Sequence, residues 1–155
     1  MKTGLEQAWR VNGAMNTLLL DGIPEKSLLD RYSPKTRTVA AQFAHLHNVR
    51  LYHLDKRGPR GAPVLDPFPR KAEPTRAALK KALRASEDAI AALFRAADEN
   101  GKAKGGSGPP ESFLGYFVSH ESHHRGLILV SLRLSGTKMP KEITYGLWNW
   151  SRKRE

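Results

Sequence analysis

The sequence predicts an all-α protein, a four-helix bundle with long crossover connections and a short additional helix near its C-terminal end. Three observations carry that prediction. Apolar residues recur at helical spacing in four long stretches, and glycine and proline concentrate between those stretches. No segment alternates apolar and polar residues in the two-residue rhythm of a strand between hairpin turns. The chain has 155 residues, enough for one domain spanning 1–155 to bury a continuous core without staples.

The first helix is expected over residues 3–20, where Leu5, Ala8, Trp9, Val11, Met15, Leu18 and Leu19 share a face. "DGIPEKSLLDRYSPKTRT" breaks the pattern with Gly22, Pro24 and Pro34, leaving room for a short turn of helix. A second helix is expected to begin with Ser33 as N-cap and Pro34 in the first helical position, and to run to about Leu54. Its buried stripe would be Val39, Phe43, His45 or Leu46, Val49 and Tyr52. "DKRGPRGAPVLDPFPRKAEP" carries five prolines and reads as a crossover long enough to span the bundle. The third helix, "TRAALKKALRASEDAIAALFRAADEN", turns one face through Leu79, Leu83, Ser86, Ile90 and Phe94, with Gly101 as its stop. "GKAKGGSGPP" links it to a fourth helix that opens at Pro109 or Pro110 and ends at Gly136. From Pro140 a short helix is expected to lay Trp148 and Trp150 on the bundle.

Composition narrows the chemistry. There is no cysteine, which excludes disulfides, thiolate metal ligands and a catalytic thiol, so histidine and carboxylate must carry any metal site. The apolar run "MNTLLLDGI" is too short for a membrane span and lacks a basic flank, so no membrane partner and a cytoplasmic location are expected. The net charge is +11. Between Arg50 and Arg84 ten Lys or Arg face three acidic residues, a local excess of +7 that raises nucleic acid or another polyanion as a partner. Phe68 is the aromatic in that region available for base stacking, and no nucleic-acid motif accompanies it.

Three of the six histidines and a carboxylate fall in "SHESHHRG", residues 119–126. Residues four apart on a helix point in nearly the same direction, so His120 and His124 can offer nitrogens to one ion. His123 lies about 100° from His124 around the axis. On the second helix His45 can face the interior, His47 points about 200° away from it, and His53 follows two turns later on nearly the same face. If the two helices pack as neighbours, His45, His120 and His124 form a three-nitrogen face with a position left open. Such a donor set suits a divalent transition metal, zinc first, with nickel or ferrous iron as alternatives. Glu121 is the candidate general base, with a solvated helix carboxylate as its plain alternative. Asn48, Tyr52 and Tyr116 are the candidates for lining a substrate pocket.

Two stretches, "RTVAAQFAHLHNVR" at 37–50 and "HESHHRG" at 120–126, together with the order of segments, resemble the DinB/YfiT family of metal-binding four-helix bundles. The resemblance places that family's ligand triad on His45, His120 and His124, the set that the helix faces select. It implies a metal-dependent enzyme of the thiol-transferase or isomerase type that activates a low-molecular-weight thiol against a small-molecule substrate; the open metal position equally admits a hydrolase type that activates water. Many members carry glutamine after His-Arg-Gly, where this chain has Leu127. The competing expectations are a polyanion-binding protein without catalysis, and a homodimer held by the aromatic "YGLWNW" segment. Gly126 is expected where a neighbouring helix approaches closely, and Arg125 is expected to pair with a carboxylate or a helix end.

Overall fold

In the computed structural model, residues 4–58, 61–100 and 108–151 are described. Their helices are α1 (Gly4–Gly22), α2 (Val39–Arg57), α3 (Arg76–Asn100), α4 (Pro110–Leu134) and the short α5 (Lys141–Gly146), with a 3-10 turn at Glu25–Leu29. No strand occurs among the described residues, and no helix there is long and apolar enough to cross a membrane. The expected stop at Gly101 and most of the following linker lie outside the described residues.

Packing fixes the topology. Helix α3 lies against α1 and α2, α4 lies against the same two, and α1 makes no comparable contact with α2. The order around the bundle is therefore α1, α3, α2, α4. Two apolar clusters give the directions. One collects Leu19, Leu20, Val39, Phe43, Leu46, Leu79, Leu83, Ile128 and Leu132; the other collects Leu5, Trp9, Leu54, Ile90, Phe94, Phe113 and Phe117. Helices α1 and α4 run from the second cluster towards the first, and α2 and α3 run the opposite way. Neighbours α2 and α3 are thus parallel, so the crossover, described over 61–75, must travel back along the bundle. They do so pinned to it: Leu65 packs on one cluster and Phe68 on the other. His47 Nε2 meets the Asp66 carbonyl at 3.0 Å, and the Asn48 amide exchanges two 2.9 Å hydrogen bonds with the Phe68 backbone.

Between the two clusters every long helix contributes polar side chains to a buried layer: Asn12 and Asn16, Arg50, Ser86, and Glu121 with Arg125. Arg50 donates to Glu121 through Nε (2.7 Å) and Nη2 (3.0 Å), and through Nη1 to the Leu83 carbonyl at 2.9 Å. The Asn12 and Asn16 amides donate to Glu121 Oε2 at 2.6 and 2.7 Å, while their oxygens accept from Arg125 at 3.0 and 2.7 Å. The layer is closed in hydrogen bonds, as burial of charge requires.

Four expectations need correction. Helix α2 begins at Val39, not at Pro34, because Thr38 is the working cap: its Oγ1 accepts from the Ala41 N–H at 3.2 Å, and Val39 N–H is tied to the Asp30 carbonyl. Tyr52 stands outside the buried stripe at 61 % exposure, and Arg50 takes the inward place. Trp148 is 82 % exposed; Ile143 and Leu147 cover the bundle instead. Gly126 faces open space, with no neighbouring helix close to it.

Candidate metal centre

Helices α2 and α4 are packed neighbours, the condition under which the three imidazoles can meet. His45 on α2 faces His120 and His124 on α4, with ring centroids 5.3 and 4.6 Å away, and the two α4 rings are 4.6 Å apart. One nitrogen from each lies within 4.8 Å of the others. Four-residue spacing on α4 supplies two donors from consecutive turns of one helix, and α2 supplies the third.

Neighbouring side chains hold two of the three rings in place. Gln42, one turn before His45 and itself buried, accepts a hydrogen bond from His124 Nδ1 at 2.6 Å. That bond fixes the His124 tautomer with its proton on Nδ1 and leaves Nε2 as the free donor. His120 is flanked by Tyr116, whose ring stacks on it at 5.8 Å and 10°. Its buried Nδ1 has no hydrogen-bond partner among the described residues, so the ring is not already committed to protein groups at both ends.

Charge state agrees with geometry. Burial, followed by the positive charge of Arg37 and the neighbouring His120, lowers the His45 pKa to about 4. Burial and the surrounding imidazoles lower His124 to about 3. His120 moves in the same direction, driven by burial against the opposing pull of Glu121. All three are neutral imidazoles at neutral pH, the form that ligates a metal. Geometry, tautomer and charge together fit a divalent transition ion held by three nitrogens.

The other histidines are placed elsewhere. His47 is spent on the crossover, His53 packs against Phe113, Tyr116 and Phe117, and His123 is exposed beside His124. Glu121, adjacent to His120 in sequence, is wholly buried with both oxygens taken by Arg50, Asn12 and Asn16. It is not the solvated carboxylate that the sequence offered as its plain alternative, and acting as a general base would require it to give up these partners. Burial alone would raise its pKa, but Arg50 and Asn16 outweigh burial and hold it ionised. Arg125 finds amide oxygens rather than a carboxylate. Of the pocket candidates, Asn48 borders a cavity of about 260 Å³ that reaches His45, Tyr116 stacks on His120, and Tyr52 is on the outer surface.

Sequence reasoning passed over Gln42, although its place three residues before His45 puts it on the same helix face. No curated protein and no solved structure matches the chain significantly. The family model described as the DinB superfamily matches residues 8–128, a span that takes in most of α1 to most of α4 with all three histidines and Gln42, and the chain belongs to that superfamily.

Proposed function

We propose that this protein is a metal-dependent enzyme of the thiol-transferase or hydrolase type, acting on a small molecule at the site of His45, His120 and His124. The observation that carries the reading is the convergence of three neutral imidazole nitrogens within 4.8 Å, from two helices. His45, His120 and His124 would hold the ion and Gln42 would keep His124 oriented towards it. A divalent ion in such a site supplies Lewis acidity, lowering the pKa of a thiol or water towards neutrality. Zinc suits three imidazoles best, with nickel or ferrous iron next. With Glu121 sequestered, no carboxylate among the described residues is free there as general base, which favours a nucleophile that needs little help to ionise. A low-molecular-weight thiol meets that requirement, and because the reduced pool of such thiols is cytoplasmic, a cytoplasmic location goes with this reading.

The competing reading, a polyanion-binding protein without catalysis, rests on the basic stretch from Arg50 to Arg84. It loses Arg50, which is buried against Glu121. Elemental analysis of the purified protein beside His120→Ala and His124→Ala separates the two. The enzyme reading expects about one transition-metal ion per chain, lost from both variants. Equal, substoichiometric metal in all three proteins would overturn it.

A further inference from the structure

Beside the triad lies a larger cleft, about 690 Å³, whose chemistry is unlike that of the imidazole site. Its walls carry five cations, Arg31, Lys35, Arg37, Arg70 and Lys71, against one carboxylate, Glu73. Glu73 is engaged by Arg31 at 3.2 Å, and among the described residues no carboxylate pairs with the other four. Thr38, the cap of α2, also lines the cleft, so the positive end of a helix with no acidic residue in its first turn adds to the same field. Packing like charges around a concavity costs free energy unless an anion occupies it.

The cleft is joined to the triad in two ways. Gln42, which holds His124, forms part of its lining. Arg37, Ala41 and Arg70 line both this cleft and the smaller cavity that reaches His45. Arg37 stands close enough to the triad for its charge to be felt at His45, His120 and His124. Leu127 and Ala41 add apolar surface to the lining of the cleft.

We propose that this cleft binds the carboxylate or phosphate group of a small-molecule substrate, with Arg37 and Arg70 as the principal anion ligands, while the reacting end extends through the cavity at His45. The second half of that statement rests on the metal-site reading; the first does not. Arg37 and Arg70 suit the task because a guanidinium meets carboxylate or phosphate with two parallel hydrogen bonds and cannot lose its charge. Arg37 contributes from the segment before α2, and Arg70 from the crossover that Asn48 and His47 pin in place, so the anion would bridge two otherwise separate pieces of chain.

The test titrates inorganic phosphate and, separately, succinate into the purified protein at 150 mM salt, following backbone amide resonances and recording metal content in the same samples. At least one anion is expected to saturate, with shifts confined to residues 36–42 and 70–71, and the stronger of the two names the group recognised. Arg37→Ala and Arg70→Ala, both at exposed positions, are expected to weaken that binding tenfold or more with metal content unchanged. Absent saturation, unchanged affinity in both variants, or shifts spread over Lys80, Lys81 and Arg84 would overturn the proposal. So would saturation by a short DNA duplex where neither small anion binds. Anion binding retained in a His120→Ala protein that has lost no metal would sink the metal reading and leave the anion cleft standing.

Discussion

Because Gln42 Oε1 accepts the Nδ1 proton of His124 over 2.6 Å, one buried amide sets which nitrogen of that ring is available and how the ring is turned. Gln42→Leu keeps most of the volume but leaves a buried N–H unpaired and the ring free to rotate. Metal affinity, measured by chelator competition, is expected to fall about 10- to 100-fold, with one ion still bound at saturation. Unchanged affinity would remove Gln42 from the site. The residue-scale reading of the sequence succeeded where spacing alone decides direction: His120 and His124 stack because four residues make about one turn, and His47 diverges from His45 because two do not. It failed at Tyr52, which spacing placed in the buried stripe and which is exposed, and it did not foresee the burial of Glu121. A carboxylate taken alone belongs in water, whereas Arg50, Asn12 and Asn16 create the partner set that makes Glu121 a core residue.

Each long helix carries an apolar stretch, one turn of polar residues and a second apolar stretch, and the four polar turns meet at one level of the bundle. A helix shifted by one turn against its neighbours would bury Arg50 or Glu121 among leucines, so the layer selects the register of packing. Glu121→Gln removes the charge that compensates Arg50 at nearly constant shape. It is expected to cost about 3–5 kcal/mol in urea unfolding, as when one member of a buried pair is lost. The double variant Glu121→Leu with Arg50→Met is expected to be more stable than Glu121→Gln alone. A loss below about 1 kcal/mol for Glu121→Gln would show that Arg50 finds another acceptor. At this scale the sequence showed four long helices and the crossover because periodicity and proline are local signals. Where α2 begins was not legible, since Ser33, Thr36 and Thr38 can each cap and the choice falls to Asp30, whose carbonyl ties down Val39.

Across the whole molecule, protonation and folding oppose each other. Burial lowers the pKa of His45 to about 4 and of His124 to about 3, and shifts His47, His53 and His120 in the same direction. In the unfolded chain these imidazoles return to about 6.5. As pH falls below that value the unfolded state takes up protons that the folded state refuses, so the free energy of unfolding decreases on acidification. Glu121, with its lowered pKa, extends the loss to still lower pH, while Glu87, whose carboxyl is raised by burial, works the other way. Among the described residues, five histidines against Glu87 decide the sign. The urea midpoint of the metal-free protein is therefore expected to drop steadily from pH 7 to pH 4 with its slope unchanged. The metal-loaded protein is expected to drop more steeply, because an ion held by neutral imidazoles is released as they are protonated. A midpoint flat over this range would mean that the imidazoles are protonated in the folded protein, and neutral imidazoles are the premise on which the three-histidine site depends.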